Sequence, residues 1–468
     1  MEMENRTANR DGMNEIRNTL AAQEQFFKSG RTRDLNFRLE NLTRLKKGII
    51  ENEAAIMAAL KADLSKSPYE SYLTEVGVVL DEIRLVRRRL KSWARPRRVK
   101  TPFPLWFASS RIYCEPYGRA LIITPWNYPF LLSISPLIGS MAAGNCSVIK
   151  PSEYAPHTAA VISEIMASYF DSNYITVIEG DAKIGEALLD EQFEYIFFTG
   201  SVSVGKIVMS AAAKFLTPVT LELGGKNPCI VDKEVNVDLA ARRITFGKFI
   251  NAGQTCIAPD YLWVHHSNKP ELLKRIQKYV RRFYGEDPRE SPDFSRIINQ
   301  RHFTRLRALL NRGNINVGGQ ANPNDLYIAP TVISDLSWDD PIMQDEIFGP
   351  ILPVMEFEDL SQVISSLNSR PKSLALYVFS DRPENYQRVI DEVSFGNGCI
   401  NDTVIQIANL HLPFGGVGSS GMGGYRGKAS FDIFSHKKSV LKKLFTFDPP
   451  LRYPPYKNKL SILKKILR

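Results

Sequence analysis

GRALIITPWNYPF (residues 118–130) and NCSVIKPSE (145–153) are the stretches whose reading decides the fold of this chain. Each carries an apolar run of strand length that breaks at a proline, and the residues between them, 131–143, read as a helix. Two further units repeat the pattern: a helix near 158–169 leads into an apolar run at 174–179, and a helix near 182–189 leads into 195–199. Strands alternating with helices at this spacing predict an α/β fold with a parallel, doubly wound sheet. Ligands in such sheets bind at the carboxyl ends of the strands, so the loops after Thr124, Lys150 and Thr199 are expected to face one site.

Outward from that unit the pattern changes on both sides. Residues 14–83 place Leu35, Leu39, Leu42 and Leu45 at spacings of three or four between charges, the signature of covering helices. The run IRLVRRRLKSWARPRRVK (83–100) begins as a helix and stops at Pro96, and TPFPLWFASSRIYCEPYG (101–118) alternates and turns like an excursion of strands. On the far side, a strand at 219–223 runs into Gly224-Gly225-Lys226 and brings Glu222 near its end. A helix at 239–250 then leads to FINAGQTCIAPDY (249–261), and a second α/β series follows through 262–264, 350–357 and 375–380. With 468 residues the chain exceeds one ordinary core, which predicts two or three domains.

Composition narrows the class of function. Hydrophobic residues make up 44% and charged residues 24%, the balance of a soluble globular protein. Five cysteines, Cys114, Cys146, Cys229, Cys256 and Cys399, stand without CxxC or CxxH pairing, which argues against a zinc site and a disulfide framework and for a reducing cytoplasmic compartment. The polar opening lacks the apolar core of a secretory leader, and no run is long enough to span a bilayer. The net charge is +10, but residues 83–100 and 436–468 contribute +9 each, so the remainder nets −8. An acidic body excludes general affinity for nucleic acid and leaves two local basic patches to explain.

Three features are candidates for chemistry. The turn from Gly200 to Gly205, followed by Lys206, begins like a triphosphate-binding loop, but Ile207 stands where a hydroxyl must hold magnesium. It reads either as an ordinary strand-to-helix turn or as a helix N-terminus receiving a phosphate. Glu222 alone reads as a surface carboxylate or an ion-pair partner. Cys256, flanked by Gly253, Gln254, Ala258 and Pro259, reads as a buried small hydrophobe or as a nucleophile in an irregular segment facing a cavity. PFGGVGSSGMGGYRGK (413–428) could be a linker, but its Phe, Met and Tyr argue for an ordered loop.

Taken together, PWNYP (125–129), KPSE (150–153), FTGS (198–201), LELGGK (221–226), GQTC (253–256) and EIFGP (346–350) resemble the aldehyde dehydrogenase superfamily in order and spacing from about residue 30 to 440. CIAPD (256–260), PFGGVG (413–418) and SFDIFSH (430–436) are similar to its class 3 branch, which oxidises medium-chain, fatty and aromatic aldehydes. The resemblance implies that Cys256 attacks the aldehyde carbonyl, that Asn127 and the Cys256 N–H hold the oxyanion, and that Glu222 activates water to release a thioester as the acid. It implies NAD or NADP as cofactor, held through Thr124, Trp126, Lys150, Glu153, Gly200, Ser201, Gly205, Glu346 and Phe348. Val202 and Ser203 depart from the family's usual turn. The implied architecture is two doubly wound α/β domains with a small β bridging, oligomerisation element. Residues 1–97 and 117–222 bind the cofactor, 223–404 are catalytic, 98–116 and 427–445 bridge a homodimer, and 446–468 form a basic tail.

In that tail, KNKLSILKKILR (457–468) puts Leu460, Leu463, Ile466 and Leu467 on one helical face with lysines opposite. The face is expected to dock on its own protein or the partner subunit, or else to lie weakly on the anionic inner face of a membrane. Three rival functions were weighed. A reductase passing its acyl group to coenzyme A would share Cys256, but Glu222 argues for hydrolysis. A cysteine hydrolase needs a paired histidine, and His265 and His266 lie on or beside a strand. A non-catalytic protein binding membrane surfaces would need a dead site, whereas every expected catalytic residue type is present.

Overall fold

The computed structural model describes residues 2–105, 107–446 and 448–467. Two large sheets carry the fold. The first has six strands in the order Gly421–Met422, Val219–Leu223, Tyr195–Gly200, Arg119–Ile123, Cys146–Lys150, Ile175–Val177. All its neighbours run parallel except Gly421–Met422, which is antiparallel to Val219–Leu223. The second has seven, in the order Asn314–Val317, Thr331–Ser334, Ile351–Phe357, Tyr261–His265, Pro228–Val231, Ala375–Phe379, Asn397–Ile400. The strands predicted from alternation are thus present. Pro228–Val231, Asn314–Val317, Thr331–Ser334 and Asn397–Ile400 of the second sheet and Gly421–Met422 of the first were not anticipated.

The helix Pro129–Ala143 shows why the first sheet sits where it does. All 15 of its residues are buried, so it is a core helix with no solvent face, and its sequence accordingly carries no charge and only three serines as polar side chains. The first free N–H groups of such a helix need an acceptor, and no water reaches them. Glu75 Oε2 supplies it, accepting from Phe130 N at 2.9 Å and Leu131 N at 3.1 Å. Its other oxygen pairs with Lys66 Nζ at 2.5 Å, with both side chains fully buried. The Asn127 loop is therefore anchored by an ion pair from the N-terminal helices.

A third sheet of three strands, Arg97–Val99, Ala108–Pro116 and Ser435–Lys443, pairs antiparallel throughout and places strands of the two basic stretches on either side of Ala108–Pro116. The glycine-dense segment is ordered, and its strand places Gly421 in register with Glu222. The terminal helix Leu460–Ile466 buries none of its residues, with Leu460 62% and Leu467 65% exposed. Docking of this face on its own chain, expected from its amphipathic pattern, does not occur. Within the tail, Phe447 and Arg468 lie outside the described residues.

Candidate active site

A cavity of about 1450 Å³ opens between the two large sheets. It is lined by Trp126, Asn127, Gly200, Ser201, Glu222, Cys256, Glu346 and Phe348, among others. Residues from five of the six motifs therefore converge on one space.

Cys256 follows a backbone that ordinary side chains avoid. Asn251 and Ala252 have φ of 53° and 50°, and Gly253 has φ 73° with the Gly349 carbonyl where a Cβ would stand. Such a turn persists only when its surroundings over-determine it, and here they do. Glu70 accepts from Asn251 N at 2.9 Å, and Gln254 Nε2 donates to the Asn251 and Arg296 carbonyls while its Oε1 accepts from Ile298 N. Beyond the turn, Asn227 Nδ2 donates to the Cys256 carbonyl at 2.7 Å and to the Ala258 carbonyl at 3.1 Å. Asp260 accepts from Lys226 Nζ at 2.6 Å and from Ile347 N at 2.9 Å, tying this loop to the one that bears Glu346.

Cys256 is half-buried. Burial pushes its thiol well above the ordinary range, and the carboxyls of Glu346 and Glu222 push the same way. Glu222 is 3% exposed, and neither of its oxygens has a hydrogen-bond partner. Burial raises its carboxyl well above the ordinary value, favouring the neutral form. Asn127 donates through Nδ2 to the Gln254 carbonyl at 3.0 Å, its Oδ1 is unpartnered, and its backbone carbonyl accepts from Lys66 Nζ at 3.0 Å. Burial, with Asp260 adding, raises the Glu346 carboxyl to about 8.

The fit of a dinucleotide is tested by these same atoms. Ser201 caps the helix Val202–Ala213, so free backbone donors stand at the cavity wall where an anion is favoured. Gly224 approaches Glu346 so closely that a Cβ there would lie 2.0 Å from Oε2. The unpartnered Thr199 Oγ1 lies at the same wall. The residues fit such a group.

Four of the expected cofactor residues do not line this cavity. Gly205 N–H already donates to the Ser201 carbonyl at 2.9 Å, and its missing Cβ makes room for Leu223, so this glycine serves helix-to-strand packing and offers no donor to a phosphate. Thr124 turns inward, with Oγ1 2.9 Å from Ser133 Oγ. Lys150 and Glu153 pair with each other at 3.2 Å, and neither lines the cavity.

Lys66, Glu70, Glu75 and Asn227 escaped the sequence reading, and Gln254 entered it only as a neighbour of Cys256. Glu75 had a readable signal, since it shares a helical face with Val79, Ile83 and Val86 where a charge is out of place. His302 also escaped: it lines the cavity with its ring 4.9 Å from that of Trp126, and burial lowers it to about 4. His265 instead bonds Ser267 Oγ through Nδ1 at 2.7 Å, and neither it nor His266 lines the cavity.

A doubly wound pair of sheets, with a cavity between them that carries a thiol, an amide and a buried acid on its wall beside the residues suited to a dinucleotide, is an architecture suited to a dinucleotide-dependent oxidoreductase. Comparison with known proteins carries this further. The profile of the Aldehyde dehydrogenase family matches residues 5–440. The 4,4'-diaponeurosporen-aldehyde dehydrogenase of Staphylococcus aureus is 47% identical over 458 residues, covering 97% of this chain and 100% of that protein. Aldehyde dehydrogenase family 3 member B1 of Bos taurus is 45% identical over 450 residues, covering 95% of each. The dimeric NADP-preferring aldehyde dehydrogenase of Rattus norvegicus is 44% identical over 445 residues, covering 95% and 98%. Among solved structures, the substrate-bound state of Staphylococcus aureus AldH superposes with a TM-score of 0.95 at 47% identity, covering 97% of this chain and 99% of that one. This chain belongs to the aldehyde dehydrogenase family, in its class 3-like branch. It oxidises aldehydes with NAD or NADP.

Proposed function

We propose that the substrates are medium- to long-chain aliphatic or aromatic aldehydes, and that Cys256, Asn127 and Glu222 carry the reaction. The observation that carries this reading is the convergence of these three side chains on one cavity with Gly200, Ser201 and Glu346. Leu73, Val78, Phe246, Ile250 and Ile405 give part of the same cavity an apolar lining suited to a hydrocarbon tail.

Cys256 Sγ adds to the aldehyde carbon after losing its proton, and the resulting oxyanion accepts from Asn127 Nδ2 and the Cys256 N–H. Ser201 and Glu346 would hold the dinucleotide, with Trp126 and Phe348 on the same cavity wall, and that group would supply the hydride acceptor. Once the cysteine carries a thioester, Glu222 takes a proton from water, the hydroxide adds to the acyl carbon, and the sulfur leaves as thiolate. Because burial favours the protonated form of Glu222, the carboxyl acts as a base only once that proton has been released.

The domain division read from the sequence enters this proposal as it stands. The first sheet serves the cofactor, the second the thiol, and the three-stranded sheet an association of two copies, in keeping with the dimeric rat relative. The five cysteines are free thiols, in keeping with a reducing cytoplasm. Among the described residues no helix is long and apolar enough to cross a membrane. The exposed apolar face of Leu460–Ile466, flanked by lysines, supports peripheral contact with anionic lipid.

The test is purified protein with NAD or NADP and an aldehyde panel, following the reduced nicotinamide. Cys256→Ala should abolish it. Glu222→Gln should keep the first turnover and slow the rest; activity surviving in Cys256→Ala would overturn the mechanism.

A further inference from the structure

Behind the apolar wall of the cavity runs a line of hydrogen bonds that the chemistry above does not use. The turn Ile405–Ala408, with Val404 before it, lines the cavity through Val404, Ile405, Ile407 and Ala408. Gln406 does not line it and is buried. Its Nε2 donates to Tyr377 Oη at 3.0 Å and to Asn397 Oδ1 at 2.8 Å, and its Oε1 accepts from the Cys399 thiol at 2.9 Å. Both amide hydrogens and the carbonyl oxygen are thus engaged. Tyr377 Oη in turn donates to the carbonyl of Ile257 at 2.6 Å, one residue beyond Cys256. The line begins at the loop that meets a substrate tail and ends at the segment that presents the nucleophile.

The other end of the loop is held against a backbone preference. Val404, a β-branched residue, has φ 57° and ψ −19°, and Asn401 has φ 57°. Asn401 is fastened by both side-chain atoms to the backbone of Ser380, at 2.8 and 3.1 Å, and Thr403 Oγ1 donates to the Arg243 carbonyl at 2.8 Å. A conformation of this kind lasts only while its neighbours impose it. The loop is therefore pinned at one end by Asn401 and Thr403 and at the other by Gln406, with its apolar residues held out between them.

We propose that Gln406 is a positioning residue that couples the loop gripping the aldehyde tail to the segment presenting Cys256, so that a long tail seats the nucleophile as well as adding affinity. The proposal rests on the dehydrogenase reading above. A tail packed on Val404 and Ile405 presses on this pinned loop, Gln406 and Tyr377 transmit the load to the Ile257 carbonyl, and tail binding is realised in the chemical step. A short aldehyde leaves the loop untouched and gains nothing.

Two variants that keep volume and remove the line, Tyr377→Phe and Gln406→Met, test this. In the wild type, kcat should be higher for decanal than for propanal. In either variant that kcat ratio should fall about tenfold, the effect of one severed buried hydrogen bond that strands its partner, and the double variant should be no worse than either single. A merely structural role would lower Tm and leave the ratio unchanged, and that result, or effects that multiply in the double variant, would overturn the proposal. A second measurement needs no turnover: alkylation of Cys256, read by peptide mass spectrometry, with N-decyl iodoacetamide against iodoacetamide. The preference for the tailed reagent should shrink by the same factor in both variants, and an unchanged preference overturns the coupling. A wild type that reduces neither cofactor with any aldehyde would overturn the dehydrogenase reading, while the alkylation ratio would still judge the coupling.

Discussion

Replacing Glu70 by glutamine should make the protein more stable, and only at high pH. Glu70 is buried under the turn that precedes Cys256, where it accepts from Asn251 N at 2.9 Å. Burial lifts its carboxyl from the ordinary 4.5 to about 7, against the pull of Lys66 and of the Asn251 N–H. A displacement of that size corresponds to about 3 kcal/mol between the two protonation states. The folded chain binds this proton more tightly than the unfolded chain, so the stabilisation is whole below 4.5 and is lost as pH rises through about 7. Glutamine keeps an oxygen for the Asn251 N–H and carries no charge at any pH. The advantage of Glu70→Gln should therefore be small near about pH 5 and grow to about 3 kcal/mol near about pH 8, read from urea unfolding of both proteins at each pH. A difference that stays flat between those two pH values would refute the reasoning, because every other titrating group is common to the pair.

Other perturbations follow from the same contacts. Lys66→Met leaves Glu75 buried without its cation and should cost about 4 kcal/mol in unfolding free energy. Adding Glu75→Leu should fail to restore it, since Phe130 N and Leu131 N then lose their acceptor; full recovery would contradict the capping role. Gly224→Ala drives a methyl into the place of Glu346 Oε2, so KM for NAD or NADP should rise about tenfold with little change in Tm. Truncation after Asp448 removes a helix that buries nothing, so Tm should hold while recovery on phosphatidylserine vesicles falls by about tenfold or more. Equal recovery of the two proteins would remove lipid contact from the reading.

Much of this was legible in the amino-acid sequence, and the reasons are local. The apolar runs at 118–130 and 145–153 could only be buried strands between helices, and a cysteine between glycine and proline was bound to lie in irregular backbone. The motif set around Cys256, Glu222 and Asn127 carried the family because each motif is contiguous. What failed was everything that depends on a partner far along the chain. Gly205 looked like a phosphate ligand until Leu223 was seen to occupy the space its Cβ would take. Gln406 was one polar residue in a loop until Tyr377 and Ile257 came to lie in line with it. By itself, the sequence determined the two α/β series, the reactive residue types and the family, because periodicity and contiguous motifs state which side of an element is buried and what it carries. Only the tertiary structure decided that Lys66 and Glu75 support Asn127, that Asn227 and Tyr377 hold the Cys256 loop, and that the terminal helix lies free of its own chain. Burial can be read from a pattern, whereas the group a buried atom meets is set by how distant elements pack.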